Sequence, residues 1–288
     1  MDKVRLGNEI KKWRKLRKLT QVDLARDACN QSEISRIEKG EVFPGIDLLQ
    51  VFSSKLNVPV SYFYEVLIYD DVENKNAFFK KVLKLSKSKR YEEVRNLVEI
   101  ELKKNVEHPE IHKFLLWQYW TSTYILKKTD IDTCIIELSL LLERKTFGTN
   151  LYLDLHIKNS IANFYVEKTE FNKSVKLYEE ILSHDINQEG FSELQIKVLY
   201  NYAKLLYIHY KEDLSLSMIN RGIELSIKNN DMTFLGQLYY QKGECLERLK
   251  FPSCEIVENY KKAAFFFELL QLDYYKDIIE NKKYMYIK

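Results

Sequence analysis

The chain has 288 residues, enough for two domains with an ample core. Its 8 glycines and 4 prolines supply few turns and few helix breakers, and Leu, Lys, Glu, Ile and Tyr dominate, so the composition points to an all-α protein. The net charge of +3 is concentrated at one end: residues 1–65 hold 12 Lys/Arg against 9 Asp/Glu, while the remainder holds 33 of each. No apolar run approaches the ~18 residues needed to cross a membrane. The charged start lacks an apolar leader pattern, so a cytoplasmic location is expected.

The first helix carries Leu6, Ile10, Trp13 and Leu16 at helical spacing, with a basic run (Lys3, Arg5, Lys11, Lys12, Arg14, Lys15, Arg17, Lys18) set against Glu9. A basic module on a neutral body suits contact with nucleic acid at one end. Thr20 caps a second helix, with Asp23 at the capping-box position. After a tight turn at Ala28-Cys-Asn30 comes a short helix, Gln31-Ser-Glu-Ile-Ser-Arg-Ile-Glu-Lys-Gly40. Asn30 fits its N-cap, with Glu33 reaching back, and Gly40 fits the left-handed position past its end. Ile34 and Ile37 share its inner face. Gln31, Ser32, Ser35 and Arg36 share the outer one, offering the carboxamide, hydroxyl and guanidinium groups that read base edges in a major groove. A fourth helix follows Pro44-Gly45 with Leu48, Leu49, Phe52 and Leu56 inward, and Ser61 caps a fifth that begins at Tyr62.

Two helices joined by a short turn, the second with a polar outer face, form a helix-turn-helix. The string Leu19-Thr-Gln-x-x-Leu-Ala25, then Gln31-Ser-x-Ile-Ser-x-Ile-Glu-x-Gly40, then Asn57-Val-Pro59 with Tyr62-Phe63, resembles the phage-repressor (Xre-like) family over about 60 residues. The resemblance implies base reading by Gln31, Ser32 and Arg36, phosphate contact by Gln21 and Lys39, and an ion pair between Arg14 and Glu38. The loop Glu41-Val-Phe43 departs from that pattern, because it lacks the basic residues such repressors set against the DNA backbone.

From Phe78 to Tyr284 helical periodicity runs almost unbroken, interrupted by short polar stretches that end at Tyr91, Ile131, Phe171, Leu214 and Phe251. The spacings of 40, 40, 43 and 37 residues between these positions indicate a two-helix repeat, hence an α-solenoid. Small residues sit where helices must approach closely: Ala162 before Ser174, Ala203 before Ser215, and Gly243 before Ala263 and Ala264. The pattern resembles degenerate tetratricopeptide repeats, and predicts about five helix pairs closed by a helix from Asp273 to Tyr284. Most of the aromatic side chains at Trp117–Trp120, Tyr239-Tyr240 and Phe265–Phe267 are expected in the solenoid core. Asn159, Asn201 and Gln237 lie on the first helix of their pairs, flanked by apolar residues. Lining a concave face, their carboxamides can both donate to and accept from a peptide backbone.

Taken together, the two halves resemble the RRNPP-type (PlcR-like) family of peptide-responsive quorum-sensing regulators of Gram-positive bacteria. The stretches that carry the likeness are Gln31–Glu38, Phe63–Ile68, Lys89–Tyr91, Ile161–Asn163, Gly236–Gln241 and Gly243–Leu246. The resemblance implies a homodimeric transcription regulator, an activator, that binds double-stranded DNA at a palindromic operator and senses a short imported peptide, with RNA polymerase as a further partner. It places Asn159, Asn201 and Gln237 on the peptide backbone and Tyr64, Lys89 and Tyr275 at the groove's edges, Lys89 taking a peptide carboxylate. Residues 1–66 would form the DNA-binding head, 61–75 a linker helix and 76–288 the peptide-binding and dimerisation domain. A change of solenoid curvature, passed through the linker, would reset the spacing of the two heads. The alternative is a solenoid adaptor or antagonist that binds a protein partner, its head serving only to localise it on DNA. Enzymatic chemistry is not expected. His108, His112, His156, His184 and His209 are scattered, and Cys29, Cys134, Cys245 and Cys254 have no CxxC or Cys/His spacing, so neither cofactor nor metal is called for.

Overall fold

A computed structural model describes residues 2–68, 72–104, 108–143, 150–186 and 190–287, and every regular element among them is a helix. Five short helices open the chain: α1 (Lys3–Leu16), α2 (Gln21–Ala25), α3 (Gln31–Glu38), α4 (Ile46–Leu56) and α5 (Val60–Ile68). Asp2 caps α1 by accepting from the amides of Val4 and Arg5, and Thr20 and Asp23 complete the expected capping box on α2. Two expected caps are not made. Asn30 has N-cap backbone geometry but its exposed side chain bonds to nothing there; its carbonyl receives the amides of Glu33 and Ile34, and water can serve the outer donors. Helix α5 begins at Val60, because the Pro59 carbonyl already accepts from Tyr62, so Ser61 lies inside the first turn. Leu6, Ile10, Leu24, Ile34, Ile37, Phe52, Leu56 and Phe63 are buried together as the core of this head.

Helices α6 (Val72–Lys87) and α7 (Tyr91–Leu102) follow, and the chain divides into two compact units, Met1–Leu97 and Val98–Lys288. Residues 69–71, at the centre of the expected linker helix, lie outside the described residues.

The second unit continues as helix pairs: α8 (Pro109–Ile125) with α9 (Ile131–Glu143), α10 (Leu151–Glu167) with α11 (Phe171–Ser183), α12 (Phe191–Ile208) with α13 (Glu212–Lys228), and α14 (Leu235–Arg248) with α15 (Ser253–Leu269). Helix α16 (Asp273–Ile287) closes the series. The first helices of successive pairs touch one another (α8 with α10, α10 with α12, α12 with α14), which makes them the inner side of the stack. Small residues permit the close approach within a pair. Ser174 Oγ donates to the Ala162 carbonyl at 3.0 Å, and Ser215 Oγ to that of Ala203 at 2.8 Å. A Cβ on Gly243 would come within 2.7 Å of the Tyr260 ring. Trp117 and Phe267 join the core, Tyr239 stacks on Phe266, and Phe265 faces solvent.

The repeat is also written in the backbone. Lys89, Lys127, Thr169, Tyr210 and Lys250 all have positive φ, at intervals of 38, 42, 41 and 40 residues. Each ends the first helix of a pair in the same double-bonded turn; at Thr169, for example, its own amide reaches the Val166 carbonyl and the Glu170 amide that of Tyr165. None of the five is glycine. A β-branched residue is the most strained of the set at φ 60°. Thr169→Gly is therefore expected to stabilise the second unit by about 0.5–1 kcal/mol, the left-handed penalty less the extra entropy of an unfolded glycine. A thermal melt raised by roughly 1–4 °C would register it.

Candidate functional site

On the outer face of the head, Gln31 and Ser32 are exposed, Ser35 is half-buried, and Arg36 and Lys39 project into solvent. Beneath them lies a relay that begins in the core. Arg14 grips Glu38 in two parallel bonds, Nε to Oε1 at 2.5 Å and Nη2 to Oε2 at 2.9 Å, and its Nη1 donates to the Leu19 carbonyl at 2.8 Å. Both side chains are buried, 10% and 2% exposed. Glu38 also accepts from Gln21 Nε2 at 2.9 Å, and Gln21 Oε1 accepts in turn from Gln31 Nε2 at 2.6 Å. Burial by itself raises the Glu38 carboxyl, but the bonds from Arg14 and Gln21 outweigh it and hold that group below the ordinary glutamate range. A buried ion pair thus fixes a half-buried carboxamide, which orients an exposed one. Gln21 and Gln31, expected at phosphate and base respectively, are joined before any ligand arrives.

Two more contacts tie together the helices around α3. The Lys55 ammonium from α4 covers the carbonyls of Asp23, Leu24 and Arg26 at the end of α2. Arg17 donates to the Leu56 carbonyl at 2.7 Å and lies over the Trp13 ring. Arg36 pairs across the helix end with Glu41, Nε to Oε2 at 3.5 Å, a contact sequence reasoning did not anticipate.

The expected peptide residues fall in both units. Tyr64, on α5, and Lys89, in the turn between α6 and α7, belong to the first and are exposed. Asn159 on α10, Asn201 on α12, Gln237 on α14 and Tyr275 on α16 belong to the second. There Asn201 Nδ2 donates to Asn159 Oδ1 at 3.4 Å, bridging two neighbouring inner helices. Gln237 bonds the Tyr275 hydroxyl, which is pushed up by burial and drawn back by that bond. Tyr275 stacks on Phe267 with ring centres 5.3 Å apart. Asn159 and Gln237 are buried at 3% and 6% exposure.

Sequence reasoning missed two further amides on the inner helices of the series. Gln118 on α8 and Gln241 on α14 are both buried. Their register shows only once the turns are placed: Gln118, Ser160, Asn201 and Gln241 each stand nine residues before the left-handed residue of their turn. Asn159 sits one residue earlier in that register and Gln237 one helical turn earlier. The buried Oε1 of Gln237 has no hydrogen-bond partner, and Nε2 of Gln241 has none better than the neighbouring Cys245 thiol. An acceptor and a donor one turn apart match the alternating N–H and C=O groups of an extended backbone. Among the described residues no group of His, Cys, Asp and Glu could hold a metal, and no helix is long and apolar enough to cross a membrane.

The RNPP family C-terminal domain matches residues 79–288, and a helix-turn-helix family matches residues 10–63. The chain is similar to Bacillus thuringiensis PlcR solved in complex with the peptide PapR7 and DNA. That match has 46% identity over 97% of this chain and 100% of that one, with a TM-score of 0.89. Apo PlcR from the same organism matches at 44% identity over 96% and 98% of the two chains, with a TM-score of 0.72. ComR from S. thermophilus, solved with DNA and its signalling peptide ComS, matches at 18% identity over 98% and 99%, TM-score 0.66, a likeness of fold alone. No curated protein matches the chain.

Proposed function

The chain belongs to the RNPP family, and from that premise we propose that it is a homodimeric, sequence-specific DNA-binding transcription regulator controlled by a short imported peptide. It is not an enzyme. The observation that carries the reading is the relay Arg14–Glu38–Gln21–Gln31, which presents a fixed polar face on a basic head. The regulator acts in the cytoplasm, as an activator, on a palindromic operator whose half-sites match the two-fold symmetry of the dimer. Gln31, Ser32, Ser35 and Arg36 face the bases, and Gln21 and Lys39 face phosphate. Residues 1–66 are the head, 61–75 the linker and 76–288 the peptide-binding and dimerisation domain, divisions that the two family matches support.

In the second unit the peptide lies along the inner helices, its backbone held by Asn159, Asn201 and Gln237 and flanked by Tyr275; the roles of Tyr64 and Lys89, which belong to the first unit, rest on the family resemblance alone. The unpartnered Oε1 of Gln237 supports this assignment, since a buried polar atom without a partner costs about 1–3 kcal/mol until something bonds it. PlcR, at 46% identity, was solved with both peptide and DNA, and the adaptor alternative has no such support.

The base-reading role is tested by paired binding assays on the operator and on a scrambled duplex. Arg36→Ala is expected to cost about 1–3 kcal/mol on the operator and to relax selection at one base pair. Gln21→Ala is expected to weaken both duplexes alike, because phosphate contacts position without specifying. Equal losses on both duplexes for Arg36→Ala would remove Arg36 from base reading.

A further inference from the structure

We infer that Glu41 is a positioning residue for DNA reading: it holds the Arg36 guanidinium by its Nε edge and leaves the two terminal nitrogens to face a guanine. The inference rests on the proposed base-reading role of Arg36. Its observation is the turn that ends α3. Gly40 takes φ +73°, its amide reaches the Ile37 carbonyl, and the Glu41 amide reaches that of Arg36 at 2.9 Å. This double-bonded turn folds the third residue past the helix back over the third-last helical residue, where an apolar contact usually forms. Here the two residues brought together are Glu41 and Arg36, and the contact is ionic, Nε to Oε2 at 3.5 Å.

The turn is firmly set. A Cβ on Gly40 would lie 2.5 Å from the Val4 Cα, so the position admits glycine on steric as well as conformational grounds. Lys3 lies over the Phe43 ring at 5.5 Å and ties the following loop to α1. Glu41 is therefore carried by fixed backbone beside the exposed Arg36.

A guanidinium reads guanine by pointing two N–H groups at O6 and N7. A carboxylate on Nε does not compete for the terminal pair. It restrains the side chain's rotation and neutralises part of its charge. The same carboxylate repels phosphate, so it opposes the wandering of Arg36 to the DNA backbone at wrong sites. The two effects have opposite signs on right and wrong DNA. Glu41 strengthens the former and weakens the latter, and its worth is selectivity. This also gives the basic-poor loop Glu41-Val-Phe43 a use, since a lysine at position 41 would strengthen binding to every sequence.

The test uses the full-length dimer and a pool of duplexes with a degenerate central segment, sequenced after selection, with affinity for an unselected duplex measured across a salt series. For Glu41→Gln the expected result is a two- to fivefold loss of preference for guanine at the position Arg36 reads, roughly what an exposed ion pair supplies. Unselected duplex should bind as tightly or tighter, with a steeper dependence on salt. In an Arg36→Ala background the same substitution should leave base preference unchanged, because the two residues act as one unit. An unaltered thermal melt establishes that Glu41→Gln folds normally. Equal weakening on selected and unselected duplex, or unchanged guanine preference, would overturn the inference. If Arg36→Ala itself left base preference intact, the base-reading assignment would fall instead.

Discussion

Replacing Glu38 with alanine is expected to cost the head about 3–5 kcal/mol and to abolish DNA binding. The carboxylate is 2% exposed and receives three bonds, two from Arg14 and one from Gln21. Truncation leaves the Arg14 charge buried at 10% exposure with only the Leu19 carbonyl to meet it. A small domain has a total stability of about 5–15 kcal/mol, so such a loss brings the head near its unfolding transition at physiological temperature. Hydrogen exchange in residues 3–38 would report it directly. The double variant Arg14→Met/Glu38→Leu separates folding from function. Exchanging both charges for apolar groups of similar volume is often neutral or stabilising, so the head should refold. Gln21 would then lack its anchor and Gln31 its orienting partner, and operator affinity should stay below wild type. The same carboxylate sets the acid limit. Its folded-state pKa lies below the unfolded value, so its contribution is complete above the ordinary glutamate range and is lost as pH falls through the folded pKa. The head should therefore hold constant stability near neutrality and lose it only in acid, and Glu38→Gln should flatten that acid limb.

Asn159→Ala together with Asn201→Ala is expected to weaken peptide binding by about 2–4 kcal/mol, roughly 30- to 800-fold, with DNA binding in the absence of peptide unchanged. These two carboxamides bond each other across adjacent inner helices, and removing both avoids leaving one buried and unpaired. Replacing only one should be more disruptive to the fold than its share of the double change, since the survivor would lose its partner. Titration calorimetry on the double variant, with a melt to establish folding, distinguishes a binding role from a packing one. A double variant that melts like wild type and binds peptide as well would remove these residues from the groove.

Much of the head was legible because its signals are local. Thr20 with Asp23, Gly40 past α3, and the unlike faces of Gln31–Glu38 are matters of spacing along a few residues, and each formed as expected. The failures were local too, and for one reason: Asn30 and Ser61 are good cap residues at places where backbone carbonyls already meet the first amides. The repeat period could be read from polar interruptions, but its register could not. The sequence offered no glycine at the turns, and only the left-handed backbone at Thr169, Tyr210 and their counterparts shows which positions correspond. That is why Asn159, Asn201 and Gln237 were chosen while Gln118 and Gln241 were passed over. Glu41 was seen as a missing basic residue; its pairing with Arg36 depends on a reversal of the chain that no residue pattern displays.

In the proposed switch, occupation of the repeat domain by a peptide governs DNA binding by the head. Its most direct test is calorimetric titration of the full-length dimer with PapR7 and with a synthetic pool of peptides five to eight residues long, read beside operator affinity and small-angle scattering of the same samples. A peptide that saturates one site per protomer is expected to raise operator affinity and change the scattering profile, and Asn159→Ala/Asn201→Ala to abolish both responses. Saturation by a peptide with operator affinity and scattering unmoved would contradict it.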